Sequence, residues 1–396
     1  MAWNAPNRAS DTVTNPLRVG LVCPYSLSIP GGVQAQVMGL ARELRERGHE
    51  ARVLGPCDGP PPAGFVTPLG NSLPAAANGS IAPIAPDPPA VLRTLRVLND
   101  EAFDVLHLHE PLAPGPTVTS LVVHRAPTVG TFHAAGTSAS YRFLKGPMRR
   151  LITRIDHKVV VSKDALALAQ SHFGGEYEVL FNGVEIDYIT AVSPFERNGN
   201  GPPVIFFCGR HEHRKGLTVL VDALDRLDSP FQLWIASEGP DTAELMHRTS
   251  GDDRVEWLGR ITDEEKFSRL RAADVFCAPS LGGESFGVVL IEAMAAGTTV
   301  VASALDGYRN VATDDVDSLL VAPGEPDALA VALGRGMNDR RLADRLRAAG
   351  VARADQFAMS SLADRYVEIY GRLIDQRRRE SRGRGDPAPA GVAPVH

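Results

Sequence analysis

The sequence predicts an α/β protein built from two doubly wound, Rossmann-like domains. Three observations carry that reading. A strand, a glycine turn, a helix and a second strand follow one another between Arg18 and Leu54. The same succession restarts at Val204. Between the two series lies Ser193–Pro203, a polar stretch rich in Pro and Gly that reads as a linker. A chain of 396 residues holds two domains of ordinary size, and 44% hydrophobic residues suffice to bury two cores.

The first series, expected over 17–192, opens with an apolar strand, Arg18–Cys23. Pro30-Gly31-Gly32 then turns the chain into a helix from Val33 to about Arg47, with Val33, Val37, Leu40 and Leu44 on one face. Gly48 ends the helix and Ala51–Leu54 is the next strand. The glycine pair stands where such folds place phosphates, but it is not a G-x-G-x-x-G fingerprint, so a turn serving geometry alone is the competing reading. Residues 56–90, rich in Pro, Gly and Ala, are expected to be loop. Pro89–Leu98 reads as a short amphipathic helix with Arg93 and Arg96.

Asp104–Leu108 is a strand that delivers His107-Leu108-His109-Glu110-Pro111. His107 and His109 share a strand face, as a metal pair would, but no third ligand stands at a sensible spacing. His109 and Glu110 are instead expected to line a cleft at a strand's carboxyl end. His133 follows the strand Thr128–Phe132 in the same way. A structural role for it is the plainer alternative. His157–Val161 and Glu178–Leu180 complete the first sheet.

In the second series, expected over 204–358, Val204–Cys208 is a strand followed by Gly209-Arg210 and then His211-Glu212-His213-Arg214-Lys215-Gly216. Leu217–Leu227 is a helix, and Phe231–Ala236 and Arg254–Leu258 are strands. Thr262-Asp263-Glu264-Glu265 has capping-box form ahead of another helix. Val275–Ala278, Thr299–Ala302 and Leu319–Ala322 are strands, and three helices close the chain. The last repeats Leu362, Tyr366, Ile369, Tyr370 and Leu373 at helical spacing and needs an apolar partner, so residues 359–376 are expected to dock back on the first domain. Residues 1–16 read as a disordered leader, and 377–396, with five arginines from Arg377 to Arg384, as a disordered basic tail.

The strongest chemical signal is Gly282-Gly283-Glu284-Ser285-Phe286-Gly287, running into a buried helical stretch that contains Glu292. A helix beginning just after glycines offers free N–H groups and the positive end of its dipole to a phosphate. Glu284, an acid at that point, suits hydroxyls beside the phosphate, and Glu292, roughly two turns in, suits a second hydroxylated group. Sugar, diphosphate and ribose together describe a nucleotide sugar. Arg210 and Lys215 can neutralise the diphosphate as charge develops on the leaving group.

Composition narrows the alternatives. A net charge of −6 gives no general attraction to nucleic acid. The four cysteines, Cys23, Cys57, Cys208 and Cys277, show no metal or redox spacing and suit a reducing cytosol. No apolar run approaches the roughly 20 residues of a membrane span, and the N-terminus has no signal-peptide core. A cytoplasmic protein is expected, with weak or transient contact at the inner membrane face through the basic tail.

Together these residues resemble the GT-B-fold, family-four retaining glycosyltransferases, in which two such domains face a central cleft. Arg210, Lys215 and the Glu284…Glu292 pair match that family's signature. Val22-Cys23-Pro24-Tyr25-Ser26, Pro30-Gly31-Gly32-Val33-Gln34, His107–Pro111, Thr131-Phe132-His133 and Leu281–Gly287 resemble the actinobacterial phosphatidylinositol mannosyltransferases that use GDP-mannose. The resemblance implies a donor site of Gly32, Arg210, Lys215, Glu284, Ser285, Phe286, Gly287 and Glu292. It implies His133 over the sugar, catalysis by Arg210, Lys215, Glu284 and His133, and an acceptor side of Tyr25, His109 and Glu110. It implies no tightly bound cofactor, with Mg2+ at most accompanying the nucleotide sugar. The acceptor half departs from the pattern. The basic helix expected near Ala82–Leu98 holds only Arg93 and Arg96, Ala134–Ser138 replace a basic residue, and an acid expected near Ser28 is absent. Three other readings stand beside this one: a family-four enzyme with another nucleotide sugar and a soluble acceptor, a non-catalytic nucleotide-sugar or membrane-surface binder, and a dinucleotide oxidoreductase.

Overall fold

A computed structural model describes residues 15–77, 80–133, 150–197, 201–284 and 286–384. The chain folds into two compact units.

The first unit comprises β1 (Arg18–Val22), α1 (Gly32–Glu46), β2 (Glu50–Gly55), β3 (Val66–Pro68), β4 (Leu73–Ala77), β5 (Ser80–Ile84), α2 (Pro88–Asp100), β6 (Val105–His109), α3 (Pro116–Val123), β7 (Thr128–Phe132), β8 (His157–Val160), α4 (Lys163–Phe173) and β9 (Glu178–Val179). Its sheet has seven strands in the order β3-β2-β1-β6-β7-β8-β9, and every pairing is parallel. Every residue of β6 and β7 is buried, as strands covered on both faces must be. Val22, Leu54, Leu106, Leu108, Phe132 and Val160 belong to one core on this sheet. The winding reverses between β1 and β6, so their carboxyl ends border the crevice where ligands bind in such sheets.

Residues 56–90 are not all loop. They hold β3 and the antiparallel hairpin β4–β5. Ala and Pro are weak strand formers, and their runs carry no apolar alternation, so the hairpin left no local signal.

The second unit contains α5 (Ile186–Ala191), β10 (Val204–Cys208), α6 (Leu217–Leu224), β11 (Gln232–Ala236), α7 (Thr242–Arg248), β12 (Val255–Gly259), α8 (Asp263–Ala272), β13 (Val275–Ala278), α9 (Val288–Ala295), β14 (Thr299–Ser303), α10 (Asp306–Arg309), β15 (Leu319–Val321), α11 (Pro326–Asn338) and α12 (Arg340–Ala354). Six parallel strands run in the order β12-β11-β10-β13-β14-β15. Phe206, Trp234 and Phe276 fill one face of this sheet; Phe207, Leu233 and Ile235 belong to the core on the other. Thr262 caps α8 by accepting from the Glu265 amide at 3.1 Å, half of the expected capping box.

The chain passes from one unit to the other at Leu180/Phe181, ahead of the 193–203 linker. The Phe181 ring stacks on Phe286 at 5.3 Å, and Ile189 is fully buried in the second core. These packing partners are distant in the chain and leave no trace in local composition.

The terminal helix α13 (Met359–Arg384) belongs to the first unit from Ser360 onward. Tyr366, Ile369 and Tyr370 are buried. Arg47 donates to Asp364 at 2.7 Å, and Arg365 donates to Glu178 at 2.6 Å. The helix continues beyond residue 376 into the arginine-rich segment. Gln376 donates to Glu380 one turn on at 3.0 Å, and Arg377 donates to the Arg125 carbonyl at 3.2 Å. A run of Gln, Arg and Glu has the backbone preference to extend a helix that tertiary packing has already nucleated.

Candidate active site

In the second unit the site grows from the loop after β10. His213–Lys215 forms a 3₁₀ turn and ends at Gly216. Gly216 has φ +68°, and a Cβ there would lie 1.9 Å from the Pro279 carbonyl oxygen. Only glycine permits that close approach. It brings Lys215 against the loop after β13, where Lys215 Nζ donates to Glu284 Oε1 at 2.6 Å. Ser280 Oγ donates to the same oxygen at 3.1 Å and lies 2.9 Å from the Tyr308 hydroxyl. Arg214 donates to the Gly283 carbonyl at 3.3 Å and stands 3.6 Å from Glu284 Oε1. Glu212 links the remaining cation, with Arg214 at 2.6 Å from one oxygen and Arg210 at 3.8 Å from the other. Arg210, Lys215 and Glu284 therefore belong to one ionic cluster. The Lys215 and Glu284 side chains are 19% and 11% exposed, whereas Arg210 is 48% exposed and is the cation most open to an arriving anion.

Phe286 is buried. Gly287, with φ +94°, precedes α9; a Cβ there would stand 2.9 Å from the Tyr308 ring. The first turn of α9 carries no acidic residue, which leaves its positive end uncompensated locally. Ser285 lies outside the described residues. Glu292, on the second turn of α9, accepts from Lys266 Nζ at 3.0 Å, and Lys266 is also 3.3 Å from Asp263. Burial alone would lower the Lys266 pKa, but Glu292 and Asp263 raise it above the ordinary lysine value. Lys266 is therefore a fixed cation.

In the first unit Gly31 caps α1 in an extended conformation and Gly32 begins it. No atom lies within 4 Å of where a Gly32 Cβ would sit. Gln34 holds the preceding loop by donating to the Ser26 and Ile29 carbonyls, both at 3.2 Å. Tyr25 pairs with Ile84. Burial first, and then the nearby Glu110 carboxylate, push the Tyr25 hydroxyl pKa up, so it remains a neutral phenol. Glu110 follows β6 with φ +49°, a left-handed backbone for a non-glycine residue. Its Oε1 accepts from the His133 amide at 2.6 Å. His109 Nδ1 is 3.0 Å from His133 Nε2. The His107 ring stacks on His109 at 4.3 Å, with its own nitrogens 2.7 Å from the Tyr370 hydroxyl and 2.7 Å from Thr131 Oγ1. Burial pushes the His107 pKa down to about 3 and that of His109 well below the usual value, so both rings are neutral.

The expected residues thus fall into two sets. Tyr25, His109, Glu110 and His133 lie in the first unit, as Arg210, Lys215 and Glu284 do in the second, where Glu292 is paired with Lys266. His109 and Glu110 are only 2% and 6% exposed, so direct contact with an acceptor does not fit them in this state; they back His133 instead. Ser280, Tyr308 and Lys266 escaped the sequence reading, Arg214 entered it only as part of the loop after β10, and Tyr370 only as a packing residue of the last helix. Only Lys266 had a usable signal, one residue past the Thr262–Glu265 cap. Among the described residues no group of three or more His, Cys, Asp or Glu side chains is placed to hold a metal ion.

Two doubly wound parallel-sheet units with polar clusters at their strand ends have the architecture of the GT-B fold. Sucrose-phosphate synthase from Thermosynechococcus elongatus has the same fold, at TM-score 0.72 and 19% identity over 91% of this chain and all (100%) of that one. So has Anabaena HepE, solved in complex with UDP-glucose, at TM-score 0.67 and 18% identity over 90% of this chain and 99% of that one. The family model described as Glycosyltransferase Family 4 matches residues 30–188, and that described as Glycosyl transferases group 1 matches 202–339. The phosphatidyl-myo-inositol mannosyltransferase of Mycobacterium leprae is 38% identical over 362 residues, 89% of this chain and 96% of the relative. That of Mycolicibacterium smegmatis is 38% identical over 348 residues, 86% of this chain and 89% of the relative. The chain belongs to the family-four glycosyltransferases and is a hexosyltransferase.

Proposed function

We propose that this enzyme moves mannose from GDP-mannose to phosphatidylinositol or a related inositol lipid, with retention at the anomeric carbon. The observation that carries the reading is the Lys215–Glu284 contact at 2.6 Å beside the start of α9, a cation and an acid suited to adjacent parts of one nucleotide sugar. Arg210 and Lys215 stabilise the diphosphate, the Phe286 and Gly287 amides and Gly32 are assigned to its oxygens, and Ser285 is counted with the donor side. Glu284 orients the hexose hydroxyls and Glu292 takes the ribose. His133 stands over the sugar with Glu110 behind it, and Tyr25 stacks on the inositol ring. The leaving phosphate oxygen accepts the acceptor proton on the same face, so no side-chain base is required. No tightly bound cofactor enters this scheme, and Mg2+ accompanies the nucleotide sugar at most. The names of the relatives support mannose and phosphatidylinositol.

Among the described residues no helix is long and apolar enough to cross a membrane. Contact at the inner face of the cell membrane is therefore proposed as peripheral. A soluble acceptor is favoured by one observation: on α2, Arg96 is paired with Asp100 at 3.4 Å, so that helix offers little net charge to anionic lipid. Incubating the protein with labelled GDP-mannose, phosphatidylinositol in vesicles, and soluble inositol phosphate separates the readings. Labelled, α-linked lipid product supports the proposal. Product on the soluble acceptor alone, unaffected by vesicles, replaces it with the second reading.

A further inference from the structure

The buried imidazoles of the first unit carry an inference about how His133 is held, and it rests on the reading that His133 faces the sugar. His109 is on β6 and His133 directly follows β7, the neighbouring strand. The two rings are nearly parallel, 21° apart, with His109 Nδ1 at 3.0 Å from His133 Nε2. With His109 neutral, that contact requires a proton on one of the two facing nitrogens and none on the other.

The other end of His109 decides which. Its Nε2 is buried and has no hydrogen-bond partner among the described residues. A buried N–H without an acceptor is rarer than a buried acceptor without a donor, because the orphaned donor forfeits its only bond. The favoured arrangement leaves Nε2 bare and puts the His109 proton on Nδ1. His109 then donates, His133 accepts at Nε2, and the His133 proton is confined to Nδ1. The far face of His109 is fixed as well. It stacks on His107, whose two nitrogens are 2.7 Å from Tyr370 on the terminal helix and 2.7 Å from Thr131.

We propose that His109 is a positioning residue that locks His133 in the Nδ1–H tautomer, so that His133 serves the substrate as a hydrogen-bond donor and not as a base. The assignment gives a role to a buried histidine whose expected contact with the acceptor its burial opposes.

The test reads the proton directly. Wild-type protein, His109→Asn and His109→Leu are labelled with 15N-histidine, and the His133 ring signals are assigned by their loss in His133→Gln. The expected spectrum shows wild-type His133 protonated at Nδ1 and bare at Nε2. His109→Asn, whose side-chain amide keeps a donor near the Nδ1 position, retains that pattern; His109→Leu loses it, with kcat falling on the order of 10²-fold and the donor KM moving little. A wild-type His133 protonated at Nε2 overturns the proposal without any variant having to fold. So does a tautomer unchanged in a folded His109→Leu protein. If the tautomer is as expected but His133→Gln transfers at the wild-type rate, the positioning stands and the assignment of His133 to the sugar falls.

Discussion

The two units end their strands in opposite chemistry. At the ends of β1 and β6 the polar groups are buried and mostly neutral: stacked imidazoles at His107 and His109, and at Tyr25 a phenol whose pKa is raised by burial and then by the Glu110 carboxylate. In the loops after β10 and β13 they are ions, with Lys215, Arg214 and Arg210 strung along Glu284 and Glu212. One winding pattern thus supports two kinds of site. A leaving diphosphate needs fixed charge, which the second unit supplies at its surface, where the ions keep partial hydration. A neutral polyol needs aimed donors and acceptors, and those survive deep burial provided that they pair.

That contrast predicts where the protein breaks most severely. Glu284→Ala and Lys215→Ala should each cut transfer on the order of 10³-fold or more, because each removes fixed charge at the reacting centre. Both proteins should remain folded by circular dichroism. The double variant should be little worse than either single, since paired residues are non-additive. Rates near wild type in both single variants would refute the ionic site. Lys266→Met comes next. It strips Glu292 of its partner, and the donor KM should rise about 10-fold, as for a lost charged hydrogen bond, with kcat nearly unchanged. An unaltered KM would remove Glu292 from the nucleotide.

The neutral site should show itself in the acid limb of stability. His107 titrates near 6.5 when unfolded and near 3 when folded, so between those values the unfolded chain binds the extra proton. Stability from this histidine is present in full above pH 6.5 and is lost as pH falls toward 3. The slope is about 1.4 kcal/mol per pH unit for such a group. His109, depressed by the same burial, adds to it. Urea midpoints from pH 7 to pH 5 measure this, and His107→Gln should flatten the curve; an equal slope in that variant would contradict the assignment. The smallest effect is expected for Tyr370→Phe, which removes one partner of a buried hydrogen bond and should cost about 1 kcal/mol of stability. Transfer should stay within a few-fold of wild type. A total loss of activity would mean that Tyr370 does more than anchor His107.

The same contrast explains what the sequence disclosed. Parallel strands and the helices between them were legible because Val19–Val22 or Val204–Phe207 are short apolar runs bounded by turn residues. The turn from Gly282 into α9 was legible because glycines, an acid and a helix start lie consecutively in the chain. The partnerships within each site were not, because they join distant segments. Lys266 meets Glu292 through the packing of α8 beside α9, and His107 meets Tyr370 only once α13 has folded back. The crossing at Phe181 was hidden for the same reason, since its stacking partner, Phe286, lies far along the chain. His109 was correctly placed at a strand end, but burial, which decides whether it touches a ligand or a neighbour, is a property of the fold.

The most direct test of the ionic site is calorimetric titration of wild-type protein and Glu284→Gln with GDP and with GDP-mannose. The account predicts that the variant binds GDP as tightly as wild type or more tightly, because Lys215 is released to the diphosphate, while GDP-mannose loses any advantage over GDP. Equal weakening of both ligands, or no change in either, would contradict the assignment of Glu284 to the hexose.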